Sequence, residues 1–307
     1  VSDRTYRVLL GALVAVFAAL VVWFVLAIAL KARPAFSTLG FSWIFQKTWD
    51  PTHGHFGLLP AILGTLETTA IAMVLAVPIG VGTALSLAYL LPIRLRTPFS
   101  TAVELLAAVP SVVYGLWGLV ALAPIFRSTI EPFLTSVFGW TGLFRGPDIG
   151  TGLLLAGCIL FVMVLPTMVA ISRDVLAVVP TDLVEGAMAL GATRWQTLRK
   201  VVVRESRAGL LGAFTLATGR ALGETVAVAL VIGNSPYIAH SLKATAETIP
   251  ALIVNQFGEA RGTWLASLFG AGLVLLVIGL LVNIGARLLV QASGRNAGAS
   301  TTSVAVA

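Results

Sequence analysis

Six apolar stretches leave this chain few folds to choose from: they lie near Val8–Leu30, Thr68–Pro92, Phe99–Phe126, Ile149–Ile171, Ala208–Gly233 and Trp264–Ala286. At about 1.5 Å per residue each can cross roughly 30 Å of hydrocarbon, so each reads as a membrane-spanning helix. The expected fold is an all-α membrane protein with six transmembrane helices. Composition supports this, with 58% hydrophobic and 11% charged residues, against about a quarter charged in soluble domains. No connection is long enough for a separate soluble domain. Residues 1–57 read as a first helix with an outer segment, 58–292 as a five-helix core, and 293–307 as a disordered tail. The run from Val8 is too long for a signal-peptide apolar region.

Basic residues set the expected orientation. Placing the N-terminus inside puts Arg4, Arg7, Arg94, Arg96, Arg173, Arg194, Arg199, Lys200, Arg204, Arg207, Arg287 and Arg295 on the inner side. Lys31, Arg33, Lys47, Arg127, Arg145, Lys243 and Arg261 then fall outside. The larger inner group favours both termini in the cytoplasm. Trp43, Trp49, Trp140 and Trp264 fall at or beyond the outer boundary, where aromatic anchors gather. Glu104 is expected at the cytoplasmic interface. Pro78, Gly80 and Gly82, then Pro110, Gly115 and Gly118, then Pro166 punctuate the spans; they are read as kinks and close-packing positions.

Arg220 and Glu224 stand out inside the fifth stretch, AGLLGAFTLATGRALGETVAVALVIG. A charge near the bilayer centre costs roughly 2.5–3.5 kcal/mol by insertion measurements. Spaced i, i+4 on a continuous helix, the two share a face and partly neutralise each other. They are either a clamp between helices or part of a solute pathway. The Arg favours an oxyanion, because its planar fork matches phosphate or carboxylate oxygens.

The longest inner connection reads PTDLVEGAMALGATRWQTLRKVVVRES. Asp182 with Glu185, and Thr193 with Gln196, have capping-box spacing, and Gly191 between them can end a helix in a left-handed conformation. Two short helices around a glycine turn are expected. Val184, Ala187, Met188, Gly191, Trp195 and Leu198 follow helical spacing as an apolar stripe, which needs a partner. Elsewhere the chemistry is sparse. Cys158 reads as a buried thiol, His53 and His55 lack further metal ligands, and no nucleophilic constellation is present, so no metal and no enzymatic role are expected. The net charge of +7 reflects inner-loop basic residues, not nucleic-acid binding.

EGAMALGATRWQTLRKVV resembles the EAA loop of ATP-binding-cassette importer permeases, with Glu185, Gly186, Ala187 and Gly191 in its pattern; Val203 and Arg204 replace the usual closing Leu-Pro. VPSVVYGLWG at Val109–Gly118 and GRALGETVAVALVIGN at Gly219–Asn234 resemble the phosphate permeases of the Pst system, closer to PstC-type than to PstA-type subunits. The resemblance implies a type I importer permease core over 58–292, with its EAA-like loop at 182–204, in a bacterial plasma membrane. It implies a second six-helix permease of PstA type, a PstB-type ATPase dimer carrying ATP and Mg, and a PstS-type phosphate-binding protein. No cofactor is expected on this chain, which has no G-x-x-x-x-G-K-[ST] segment. Arg220 and Glu224 would be translocation residues for inorganic phosphate, and Glu185, Gly186, Ala187 and Gly191 would couple to the ATPase. A sulfate or molybdate permease, an ATP-independent channel or carrier, and a membrane scaffold are the rival readings.

Overall fold

The computed structural model describes residues 3–298, with side chains over 5–288. Five helices are long and apolar enough to cross a membrane. The first, α1 (Asp3–Leu39), is followed by a small antiparallel hairpin, β1 (Trp49–Asp50) and β2 (His55–Phe56). Then come α2 (Leu59–Leu90, ending in a π turn), α3 (Ile93–Ala108) and α4 (Ser111–Thr141). The second half holds α5 (Leu153–Ala177), α6 (Thr181–Ala189), α7 (Arg194–Thr197), α8 (Arg207–Gly223), α9 (Val226–Val231), α10 (Ile249–Gln256) and α11 (Gly262–Gly298).

Two expected spans are corrected. Phe99–Phe126 is not one helix: Val109 is extended (ψ 128°) before Pro110, which ends α3 and lets α4 start afresh at Ser111. The Pro ring clashes with a helical preceding residue, so the break follows from local sterics. The apolar crossing therefore lies downstream, in α4. Ala208–Gly233 is likewise interrupted, with α8 stopping at Gly223 and Glu224 extended at ψ 126°. Only the short α9 follows. The last helix is described as far as Gly298, into the stretch expected to lack structure; residues 299–307 lie outside the described residues.

The centre is α2 against α5, brought close by small residues. A Cβ on Gly80 would lie 2.7 Å from Met168, and one on Gly157 2.5 Å from Ile71. Buried Ala213, Ala217 and Ala221, spaced i, i+4, i+8 on α8, pack onto Met73, Ala76, Val164 and Met168. Within the chain the apolar part of α1 is wholly exposed, as suits a lipid-facing helix, until Phe36 and Trp43 meet α11. Trp43 rests against Gly270, where a Cβ would come within 2.9 Å of the indole. Trp43 and Trp49 are thus core residues rather than interface anchors; Trp140 is 80% exposed. Trp49 and Trp264 both donate their indole N–H to Gln256 Oε1, at 2.9 and 3.0 Å. His53 Nδ1 sits 2.6 Å from Asp50 Oδ2 in the hairpin turn. Hydrogen bonds from Thr52 and then His53 hold the Asp50 carboxyl down at about 2.

A broken membrane helix with an exposed arginine

α8 buries its alanine face and turns the opposite side outward. Leu216, Gly219, Arg220 and Gly223 are exposed on that side, and among the described residues nothing beyond the helix's own backbone lies within 4 Å of where a Cβ on Gly219 or Gly223 would be. Arg220 stands about 20 Å along the helix from Arg207, well inside the thickness of a bilayer. Its Nη1 donates to Thr167 Oγ1 of α5 at 3.4 Å. Tyr114 of α4 is within electrostatic reach of the guanidinium, and the Tyr114 hydroxyl donates to Leu106 O at 2.8 Å, across the α3–α4 break.

Glu224 does not complete an ion pair with Arg220 among the described residues. The expectation of a shared helical face fails because the helix ends between them. Glu224 Oε1 instead accepts the Ala227 N–H at 3.4 Å, at the start of α9, and Thr225 Oγ1 donates to Gly223 O at 3.1 Å. Unwound backbone at membrane depth is tolerated where it lines a protein-buried or watery cavity, and transporter helices break in this way around polar solutes. Gly115 fixes the approach of α4 to α9: a Cβ there would lie 2.8 Å from Ala227 Cα.

The connection after α9 is pinned to the start of α5. Gly152 N–H donates to Val231 O at 3.0 Å and Leu153 N–H to Ala244 O at 3.1 Å. Lys243, read from the sequence as an outer-loop charge, is 1% exposed. Its ammonium donates to Asp148 Oδ1 (2.5 Å), Thr135 Oγ1 (2.8 Å) and Gly146 O (3.0 Å). Nothing in the local pattern signalled that burial, because its partners lie far away in sequence. Cys158 is half-buried in the apolar core between α4, α5 and α9.

Glu247, at the end of the same connection, is 4% exposed, and burial raises its carboxyl to about 7. Such a group holds a proton in the folded state that the unfolded chain releases above its ordinary value. Stability should therefore fall between about pH 4.5 and 7 and level off above, by at most on the order of 3 kcal/mol. Thermal unfolding in detergent across pH 4 to 8 should show that slope in the parent protein and a flatter profile in Glu247→Gln. Parallel profiles would remove Glu247 from the account.

The connection between α5 and α8 also departs from expectation in part. The turn is as read, with Gly191 at φ +88°. Thr193 and Gln196 form the reciprocal capping box, at 3.0 and 3.3 Å. Asp182 is not a cap: α6 begins one residue earlier, after Pro180, with no side-chain cap. The apolar stripe divides. Val184 and Leu198 pack on Leu85, Leu176 and Val202 of the chain itself. Met188 and Trp195 stay exposed, joined by Leu183 and by Leu190, which is 91% exposed. Glu185, Gly186 and Gly191 are on the surface and Ala187 is half-buried. Glu104 meets Arg173 Nη1 at 3.5 Å, tying α3 to the end of α5 from which this connection departs.

Residues 76–294 match the family described as binding-protein-dependent transport system inner membrane component. The chain is 46% identical over 270 residues to the phosphate transport system permease protein PstC of Mesorhizobium japonicum, covering 86% of this chain and 83% of that one. It is 40% identical over 301 residues to PstC of Xylella fastidiosa, covering 97% and 93%. Among solved structures, a bacterial alginate ABC transporter chain superposes with a TM-score of 0.63 at 19% identity, over 92% of this chain and 94% of that one. A chain of the inward-facing MetNI methionine ABC transporter gives 0.56 at 19% identity, over 76% and 95%. The fold is that of an ABC importer permease, and the chain is a multi-pass plasma membrane protein. The family match and the likeness to curated relatives show that the chain belongs to the binding-protein-dependent transport inner membrane components and, within them, to the PstC-type permeases.

Proposed function

We propose that this chain forms half of the translocation pathway of an ATP-driven phosphate importer. The observation that carries the reading is Arg220, a permanently charged fork on an open, glycine-lined face at the end of a broken membrane helix. Phosphate carries one to two negative charges near neutrality, and a guanidinium can bind two of its oxygens at once. Thr167 places a hydroxyl within hydrogen-bond reach of the guanidinium, and Tyr114 lies within its electrostatic reach. Glu224, beyond the break, offers the guanidinium another partner as the anion leaves. Without one, an arginine–phosphate pair in a low-dielectric cavity would release slowly.

A PstA-type permease closes the other half of the cavity, and a PstS-type binding protein delivers the anion. In this reading α8 and α9 together make a sixth pass, which puts both termini in the cytoplasm. The energy comes from a PstB-type ATPase dimer carrying ATP and Mg, since this chain has no phosphate-cradling G-x-x-x-x-G-K-[ST] segment. Glu185, Gly186, Ala187 and Gly191, with exposed Leu183, Leu190 and Trp195, form the surface on which that ATPase acts. Nucleotide then biases the cavity between inward and outward states.

The test is uptake of radiolabelled phosphate by proteoliposomes holding the assembled importer. ATP-dependent uptake should persist in excess sulfate or molybdate. Equal competition by either would make this a permease for another oxyanion, and uptake without ATP would overturn the importer reading.

A further inference from the structure

A groove of about 700 Å³ runs between α2 and α3, lined by Pro78, Ile79, Gly82, Leu87, Phe99 and Val103 among others. α3 buries none of its residues fully in the chain. Ser100 and Glu104 on one side of it engage Arg173 of α5, while Phe99 and Val103 face the groove. Arg96 shares their face, at i, i+3 and i+7. Its Nη2 donates to Leu91 O at 3.4 Å, and Leu91 also lines the groove. Its Nε is buried and has no hydrogen-bond partner among the described residues.

The start of α3 is electrostatically unusual. Pro92 provides no side-chain cap, the first turn has no acidic residue, and Arg94 and Arg96 occupy it instead. Cations at a helix N-terminus oppose the macrodipole, and the first N–H groups there need acceptors. The Leu95 and Arg96 N–H groups donate back to Pro92 O, at 2.9 and 3.2 Å, leaving those of Ile93 and Arg94 open among the described residues; with two arginines and an unsatisfied guanidinium nitrogen they become mutually favourable once an anion joins them. The adjoining groove is mostly apolar, and a free inorganic anion would gain nothing from it.

We infer that this groove holds an anionic phospholipid, its phosphate on Arg96 and the N-terminus of α3 and an acyl chain along Phe99 and Val103. Basic pockets between membrane helices bind acidic headgroups by this chemistry. The site is separate from Arg220 and does not depend on which solute is carried.

Native mass spectrometry of the intact importer, released from nanodiscs of equal phosphatidylglycerol and phosphatidylcholine, tests it. The parent complex should retain phosphatidylglycerol in preference. Arg96→Gln should lower that occupancy about tenfold, as expected for losing a charged hydrogen bond. Val103→Trp, which fills the groove and leaves Arg96 intact, should lower it as well, and the same spectra report whether each complex is assembled. Equal retention of the two lipids, or unchanged retention in both variants, overturns the inference. Loss in Arg96→Gln alone overturns the seating in the groove. Cross-linking of Val103→Cys to the neighbouring permease would show that protein, not lipid, covers it.

Discussion

Arg220→Gln is expected to lower phosphate uptake on the order of 100-fold, equivalent to about 3 kcal/mol, with the importer still assembled. The side chain projects from the open face of α8, and among the described residues its only hydrogen bond is the 3.4 Å contact with Thr167. Arg220→Lys should recover activity only in part, because an ammonium keeps the charge and loses the planar fork. The double variant Arg220→Glu with Glu224→Arg should stay inactive. Glu224 sits across a helix break and accepts the Ala227 N–H, so reversing the charges restores no pair and leaves an arginine at the start of α9. Uptake measured with purified complexes of matched composition decides the matter. Parent-level uptake by Arg220→Gln would withdraw the site, and recovery in the double variant would make the two residues a structural clamp.

Gly191→Val is expected to separate ATP hydrolysis from transport. Gly191 has φ +88°, where a β-branched residue costs about 1–3 kcal/mol, yet among the described residues nothing beyond its chain neighbours lies within 4 Å of its missing Cβ. The damage should therefore come from refolding of the turn rather than from a collision. Re-aiming α6 would move Leu183, Met188 and Leu190 away from the surface proposed to meet the ATPase. Transport should fall at least tenfold while hydrolysis persists. Gly191→Ala should be milder and Gly191→Asn close to the parent, since Asn tolerates left-handed backbone. Cross-linking from Leu190→Cys, with native Cys158 replaced, should reach the ATPase. Capture only within the permease itself would make this loop ordinary packing.

Particular residues show how far the sequence could be read. Gly191 and the Thr193–Gln196 box were legible because turn and cap chemistry is local: the residues that satisfy one another lie within one helical turn. Asp182 failed on the same local logic. Its spacing to Glu185 suited a cap, but the chain leaving Pro180 had already entered the helix. Lys243 was illegible, since its burial depends on Thr135, Gly146 and Asp148, 95 to 108 residues away in sequence. Tyr114 lay inside a recognisable motif, but its electrostatic reach to Arg220 follows only from the packing of α4 on α9, just beyond the end of α8.

Hydropathy alone determined that this chain lives in a membrane as a helical bundle, because an unpaired backbone in hydrocarbon is too costly for other solutions. The motifs alone pointed to an importer permease and singled out Arg220 and the EAA-like loop. Tertiary structure decided where the helices stop. A run of apolar residues reads the same whether it is one helix or two, so hydropathy could not register the breaks at Pro110 and Glu224. The first is local proline sterics; the second comes with packing, as Gly115 admits α9 beside α4 and the alanine face of α8 docks on α2 and α5. That docking leaves Arg220 on an open face and releases Glu224 from the helix, turning a presumed ion pair into two separate groups around a gap in the membrane helix.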